Sequence, residues 1–164
     1  MKIEPIKNES SLERVQRAAK LHGVEIKVIE MDQSTRTAQE AADACGCEVG
    51  QIVKSLIFER VNDGSLVLVL VSGRNNADLE VLARHFGSSL DRADPRKVRE
   101  QTGFAIGGVA PIGHLCELPV VADKDLGQYQ SVWAAAGKPN AVFEINFEDL
   151  RRATNAEILQ LARQ

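Results

Sequence analysis

Residues 54–73, KSLIFERVNDGSLVLVLVSG, contain two predicted strands and the turn that joins them. The Asn-Asp-Gly segment at 62–64 is a typical hairpin turn signal between apolar runs. Residues 66–71 are apolar at every position, which indicates a strand covered on both faces, as in a barrel wall backed by helices. The stretch therefore predicts an antiparallel hairpin at the centre of the fold.

Helix signals surround this hairpin. Ser10 and Glu13 have the spacing of a capping box, which predicts a helix that runs to about Gly23. Further helices are predicted after Thr37, Asn76 and Asp94, from about residue 147, and from residue 156.

Three more short strands are predicted within residues 114–123, 129–137 and 141–147. Helices and hairpins interleave along the chain, which favours an α+β (mixed α/β) fold in which a barrel-like mixed sheet of about six or seven strands is surrounded by helices. No linker or repeat divides the 164 residues, so a single domain over 1–164 is expected.

Composition excludes several classes of protein. Apolar residues make up 44% and charged residues 26% of the chain, and no apolar run approaches the ~20 residues that span a bilayer. The first ten residues lack a signal-peptide core, so a soluble cytoplasmic protein without a membrane partner is expected. The net charge of -3 argues against a protein that coats nucleic acid. The three cysteines lack metal-site spacing, so neither a metal nor another cofactor is expected.

Lys54 interrupts the apolar segment at residues 52–58. On a strand it shares a face with Ile52, Leu56 and Phe58, where an ammonium is costly unless it reaches water or a partner. Two interpretations stay open at this point: a lysine that extends along apolar surface to solvent at a strand end, and a functional cation in a pocket.

The segment GFAIGGVAPIGH at residues 103–114 holds four glycines and no charge before its histidine. Consecutive free N–H groups in such a loop can hold an anion or an oxyanion, and a tight structural turn explains the same composition. The chain has neither GxxxxGK[ST] nor GxGxxG after a strand. The motifs typical of nucleotide hydrolysis and of dinucleotide binding are therefore missing, which disfavours both functions.

Four segments occur in an order that resembles a known family: TAQEAADACGCEVGQIVKSLIF at 37–58, LVLVLVSG at 66–73, GGVAPIGH at 107–114 and VWAAAGKPNAVFEI at 132–145. They are similar to the YbaK/ProX group of bacterial trans-editing aminoacyl-tRNA deacylases, which is related to the insertion domain of bacterial prolyl-tRNA synthetases. The resemblance covers about residues 11–150. It implies a mixed β-barrel with helices, hydrolysis of the ester between a wrong amino acid and the tRNA 3′ end, and two partners: aminoacyl-tRNA and, as a second candidate, prolyl-tRNA synthetase.

The resemblance also implies roles for individual residues. Lys54 would meet the terminal adenosine, its phosphate or the substrate carbonyl, and the loop would surround the aminoacyl group. The implied catalytic residues are Lys54, Gly107 and Gly108, and the implied substrate-binding residues are Val109, Ala110, Pro111, Ile112, His114, Ala134, Ala135 and Gly137. His114 either positions water or a phosphate, or has a structural role in capping the carbonyls of the loop. Ser55 would face away from Lys54 and is interpreted as packing in the barrel or as a hydrogen bond on the helix side.

One segment departs from the family pattern. Several relatives have serine-glycine-glycine where residues 134–137 read Ala-Ala-Ala-Gly, so methyl groups replace a pocket hydroxyl. We therefore expect a small amino acid, alanine first and serine second, on tRNA-Pro. The alternative function is a non-catalytic binding module of the same fold for aminoacyl-tRNA or a synthetase. A redox protein that uses Cys45 and Cys47 is disfavoured, because no activating base is evident.

Basic side chains are the candidate tRNA contacts, against the alternative that they belong to solvated faces balanced by acidic neighbours. They are Arg14, Arg17, Lys20, Lys27, Arg36, Arg74, Arg92, Arg96, Lys97 and Arg99.

Overall fold

The computed structural model describes residues 2–162. Its α-helices are α1 Ser11–Leu21, α2 Ala38–Cys45, α3 Leu79–Phe86, α4 Pro95–Thr102 and α5 Phe147–Thr154. Its strands are β1 Ile29–Glu30, β2 Val53–Arg60, β3 Leu66–Ser72, β4 Leu90–Arg92, β5 Val120–Asp123, β6 Ser131–Ala135, β7 Ala141–Asn146 and β8 Glu157–Leu159. Two 3-10 turns lie at Val49–Gln51 and Lys124–Gln128.

The strands form two sheets. The larger sheet has the order β4-β2-β3-β5-β8, and the smaller has the order β1-β7-β6. β2 and β3 form the predicted antiparallel hairpin, whereas β3, β5 and β8 pair in parallel. The predicted α+β class with a mixed sheet is confirmed.

The expectation of a single barrel-like sheet is corrected, because the strands form two sheets that do not close into a barrel. β2 and β6 approach each other at one isolated bridge, between Ile52 and Trp133, and form no continuous ladder. β2 pairs with β4 only from Phe58 onward, so residues 53–57 carry a ladder on their β3 side alone. The described residues hold eight strands instead of six or seven, because short strands such as β8 extend the sheets.

β3 lies at the centre of the molecule. All seven of its residues are buried, at 3% exposure or less, as the uninterrupted apolar run predicts. Leu68 and Leu70 belong to the main core cluster, while Val69 and Val71 pack on the other face in the cluster that includes Leu82 of α3. β2 divides in the same way, which confirms that adjacent residues of the hairpin face different layers.

The capping signals locate most helix starts correctly. Ser10 Oγ accepts a hydrogen bond from Glu13 N at 3.1 Å, and Thr37 Oγ1 accepts one from Glu40 N at 3.0 Å. Asp94 caps α4, whose first residue is Pro95. These local bonds satisfy N–H groups that the helix itself leaves free.

Two predicted helix starts are wrong. α3 is capped by Asp78 instead of Asn76, because Ala77 forms a bridge with Ala162 and stays extended. The helix predicted from residue 156 is the strand β8, which pairs with β5. Asn155 adopts a left-handed conformation that ends α5, and hydrogen bonds to the free edge of β5 outweigh local helix preference.

Within residues 2–162, every helix is too short or too polar to cross a bilayer.

Candidate functional site

A cavity of about 300 Å³ opens where β2 and β6 separate after their single bridge. We call it the Lys54 cavity. Its walls are β2, the end of β6, the start of β7, the segment before α2 and the tip of the glycine loop. Its lining includes Arg36, Lys54, Ser55, Gly107, Ala134 and Ala135.

Lys54 is half-buried in the wall of this cavity, and its Nζ donates a hydrogen bond to the backbone carbonyl of Asn75. Burial lowers the pKa of Lys54, and the negative charge of Asp123 acts in the opposite direction. The site therefore holds an ammonium group that is partly withdrawn from water, where a charge acts more strongly on a bound ligand than it does in bulk solvent.

A second cavity of about 940 Å³ continues from the first along β2. We call it the Arg92 cavity, after the exposed arginine of β4 in its wall. The two cavities share Ser55, Leu56, Ile106 and Gly107. They therefore form one groove with a narrower compartment at the Lys54 end.

The tip of the glycine loop is a turn from Ala105 to Gly108. Gly108 N donates to Ala105 O at 3.1 Å, and Gly107 occupies the third position with φ +97°, as a type II turn requires. The Gly107 N–H has no acceptor among residues 2–162, and this exposed residue lines both cavities. Gly107 thus has a free donor at the junction of the groove.

Gly108 has a different environment from Gly107. Its N–H is already used in the turn, and it does not line the Lys54 cavity. A Cβ at Gly108 would lie 2.7 Å from Lys138 Cα, so the glycine permits close backbone packing against the segment after β6. Of the two predicted catalytic glycines, the structure brings only Gly107 to Lys54.

The remainder of the loop turns into the protein interior. Val109, Ala110 and Ile112 are buried in the main core cluster, although Val109 also borders the Arg92 cavity. Pro111 lies beside a separate void of about 20 Å³. The structure does not place these four predicted substrate-binding residues in the Lys54 cavity. Apolar composition alone gave no means to separate loop residues that line a pocket from those that fill the core.

Arg14 explains why the loop turns inward. Its buried guanidinium donates to Gly113 O at 2.7 Å and to Gly103 O at 2.9 Å, and it stacks over the ring of Phe104. These bonds attach both ends of the loop to α1. Arg14 therefore has a structural role, and its burial disfavours it among the candidate tRNA contacts.

The segment at residues 134–137 also has some members inside the Lys54 cavity and others outside it. Ala134 and Ala135 line the Lys54 cavity, as the resemblance implies. Gly137 lies outside it, with φ +100° and a position where a Cβ would come within 2.9 Å of Ser11 Cβ. Gly137 thus packs against the start of α1.

Ser55 is a candidate that the sequence interpretation missed. Its side chain shares the main-core face of β2 with Val53 and Ile57, as predicted, but its buried Oγ has no hydrogen-bond partner among the described residues. An unpaired buried hydroxyl is unfavourable, and Ser55 lines both cavities at their junction. Ser55 therefore lies at the junction of the two cavities with a buried hydroxyl that no internal hydrogen bond uses. Only the three-dimensional course of the groove reveals this.

His114 lies outside the Lys54 cavity, beside the same small void as Pro111. Its Nε2 lies 2.8 Å from Ala110 O, and its ring packs edge-to-face on Phe104. Burial lowers the pKa of His114 to about 4. This geometry matches the structural alternative, in which a neutral histidine donates to a carbonyl of the loop.

We expect the free energy of unfolding to fall by about 3 kcal/mol as the pH decreases from 6.5 to 4 through His114 alone. The unfolded chain binds the proton near pH 6.5 and the folded chain only near 4, so acid favours unfolding across this window. Urea unfolding at pH 7 and pH 4.5 measures the change. His114→Gln keeps an N–H donor but does not titrate, so it should lose less stability on acidification than wild type. Equal losses in the two proteins would contradict a neutral, buried His114 in the folded state.

The cysteines show no sign of activation. Cys45, Cys47 and Cys116 are free, and burial raises the pKa of each thiol, to about 11 for Cys45. Neutral thiols are poor nucleophiles, which disfavours the redox interpretation. Among residues 2–162, no three histidine, cysteine or carboxylate side chains gather as a metal site would require.

Two predicted tRNA contacts border the groove. Arg36 lines the Lys54 cavity and Arg92 the second cavity; both are exposed and form no ion pair within the described part of the chain. Arg17 and Lys97 are instead paired, with Glu9 and Glu59. The free arginines therefore lie at both compartments of the groove.

Comparison with known proteins points to one family. The family model described as "Aminoacyl-tRNA editing domain" matches residues 32–153. YwhH of Bacillus subtilis (strain 168) is 32% identical over 123 residues, which cover 75% of this chain and 78% of YwhH. An Enterococcus faecalis (strain V583) protein named "Putative Cys-tRNA(Pro)/Cys-tRNA(Cys) deacylase EbsC" is 27% identical over 126 residues, 76% of each chain.

A solved structure agrees with these sequence matches. A protein described as a "putative trans-editing enzyme for prolyl tRNA synthetase" superimposes with a TM-score of 0.88 and 46% identity, over 98% of this chain and 100% of the other. The family match covers every residue that lines the Lys54 cavity. The chain belongs to the aminoacyl-tRNA editing domain family.

Proposed function

We propose that this protein is a cytoplasmic aminoacyl-tRNA deacylase that removes a small amino acid, alanine or serine, from mischarged tRNA, with tRNA-Pro as the tRNA. The observation that carries the proposal is the half-buried Lys54 ammonium in the wall of a small cavity that continues into a larger one. An aminoacyl ester has the same two-part shape, a small acyl group joined to a nucleotide.

The groove supports a specific placement of the substrate. The amino acid occupies the Lys54 cavity beside Ala134 and Ala135, and the terminal nucleotide occupies the Arg92 cavity. The ester then lies at the junction, near Ser55 and Gly107. Exposed Ile106 offers apolar surface at the same place, and Arg36 and Arg92 offer positive charge to phosphates.

The reaction requires no covalent intermediate on the protein. A water oxygen attacks the carbonyl carbon, the bond from this carbon to the ribose oxygen breaks, and the ribose oxygen takes up a proton as the free amino acid leaves. The carbonyl oxygen is negatively charged in the tetrahedral intermediate. The Lys54 ammonium and the free N–H of Gly107 are suited to stabilise this charge, because both are in place before the reaction.

The size of the compartment supports a small substrate. Methyl groups at Ala134 and Ala135 limit the Lys54 cavity on the β6 side and supply no hydroxyl to recognise a polar side chain. The Enterococcus faecalis relative is named as a deacylase of Cys-tRNA(Pro) and Cys-tRNA(Cys), and the solved structure is described as a trans-editing enzyme for prolyl tRNA synthetase. Both descriptions support tRNA-Pro as the carrier, and the second supports that synthetase as a partner. Since a methyl group is worth only about 1–3 kcal/mol in such pockets, alanine and serine should be poorly distinguished.

A panel of charged tRNAs tests the proposal. Purified protein is mixed with tRNA-Pro carrying alanine, serine, threonine, cysteine or proline, and the remaining ester is measured over time. We expect alanyl- and seryl-tRNA to be hydrolysed fastest and prolyl-tRNA to survive. Tight binding of these tRNAs without hydrolysis would favour the alternative binding module. Faster hydrolysis of prolyl-tRNA than of the smaller esters would refute the size argument.

A further inference from the structure

A buried carboxylate lies behind Lys54 and has no part in the chemistry proposed above. Asp123, at the end of β5, is fully buried. Its Oδ2 accepts hydrogen bonds from Ser72 N at 3.0 Å and Asn75 Nδ2 at 2.9 Å, and its Oδ1 accepts one from Asp125 N at 3.0 Å. These three donors satisfy the buried carboxylate, and its charge attracts the nearby Lys54 ammonium.

Asn75 connects this carboxylate to the lysine. Its amide nitrogen donates to Asp123 at 2.9 Å and to Asp125 Oδ2 at 2.8 Å, so both amide hydrogens are used. Its backbone carbonyl accepts the hydrogen bond from Lys54 Nζ. The side chain therefore holds in place the same residue whose carbonyl holds the ammonium.

We propose that Asn75 and Asp123 are positioning residues that hold the Lys54 ammonium in the wall of the cavity. This inference rests on the proposed deacylase function. A lysine side chain has four rotatable bonds, and an ammonium that samples several positions stabilises an oxyanion less than one held in a single position. Asn75 supplies the hydrogen bond that orients the ammonium, and Asp123 supplies both the attachment of Asn75 and an attractive charge.

A purely structural role is the alternative, because the same bonds join the turn after β3 to the 3-10 turn at Lys124–Gln128. The two roles differ in how they depend on Lys54. If the network acts through the lysine, its loss cannot matter once the lysine is gone. If it acts through general stability, its loss has the same effect with or without the lysine.

The test is a double-mutant cycle. Asn75→Ala and Asp123→Asn are each prepared in wild type and in Lys54→Ala, and alanyl-tRNA hydrolysis is measured across enzyme concentrations. We expect each single variant to lower the maximal rate about 10-fold, with little change in the half-saturating concentration. In the Lys54→Ala background, neither change should lower the rate further. Asn75→Ala keeps the inference testable if Asp123→Asn does not fold.

Asn146→Ala is the matched control. The Asn146 side chain accepts a hydrogen bond from Glu148 N at the start of α5, so this variant loses an asparagine hydrogen bond that has no connection to Lys54. It should leave the maximal rate unchanged in both backgrounds.

Several outcomes would overturn the inference. Equal fold-losses of rate with and without Lys54, or no loss in the single variants, would refute the positioning role while the deacylase function stands. Wild-type activity in Lys54→Ala would do the same. If wild type hydrolyses no ester in the panel, the proposed function fails first, and the positioning role fails with it.

Discussion

Replacing Lys54 with alanine should slow hydrolysis of the preferred aminoacyl-tRNA about 100-fold, because it removes one preorganised charge from the developing oxyanion. The protein should remain folded. Lys54 forms one hydrogen bond, to Asn75 O, and no ion pair within the described part of the chain, so the free energy of unfolding should change by only about 1 kcal/mol. Single-turnover hydrolysis and urea unfolding measure the two quantities on the same preparations.

Two further variants separate charge from other effects. Lys54→Met keeps most of the side-chain volume without the charge and should be as slow as Lys54→Ala. Lys7→Ala removes an exposed lysine from the segment before α1, which does not line the cavity, and should have the wild-type rate. A well-folded Lys54→Met protein with a rate within threefold of wild type would exclude an electrostatic role for this lysine.

Replacing Ala135 with valine should slow hydrolysis of alanyl-tRNA by 10-fold or more, roughly the effect of a methyl-sized misfit in a binding pocket. Ala135 lines the Lys54 cavity at the end of β6, so the added methyl groups enter the space proposed for the amino acid. Valine is well suited to a strand, and stability should change little. The measurement compares alanyl-, seryl- and prolyl-tRNA hydrolysis by wild type and variant.

Ser131→Val provides the control for this substitution. Ser131 lies on the same face of β6 as Ala135 but outside the cavity, and valine there should leave the rates for all three tRNAs unchanged. If Ala135→Val hydrolyses all three at the wild-type rate, the amino acid does not bind beside β6. The compartment assignment would then be wrong, although the deacylase activity would not.

Local signals predicted much of the fold. The Asn-Asp-Gly turn and its flanking apolar runs predicted the β2–β3 hairpin, and the caps Ser10, Thr37 and Asp94 predicted their helices. Such features depend on bonds between near neighbours, which explains why they can be read from sequence. The helix predicted from residue 156 is the strand β8 instead. It pairs with the edge of β5, which lies far from it in the sequence, so local signals could not predict this pairing.

Some of the predicted site residues lie together in the structure, and others do not. Lys54, Gly107, Ala134 and Ala135 were predicted from the resemblance, and the structure brings them to one groove. A sequence motif identifies residues but does not show which way each side chain points. Most of the loop after Gly107 fills the core, because Arg14 attaches both of its ends to α1.

The sequence by itself determined the family, the α+β class and the presence of a lysine in an apolar strand, since these depend on residue types and their spacing. The tertiary structure alone decided the environment of that lysine. The separation of β2 from β6 creates the cavity, and the course of the groove brings Ser55 to the junction of both compartments. Asp123 and Asn75 come to Lys54 from other segments of the chain. These contacts join residues far apart in the chain, and electrostatics and hydrogen bonding depend on distance in space, which spacing in sequence does not specify.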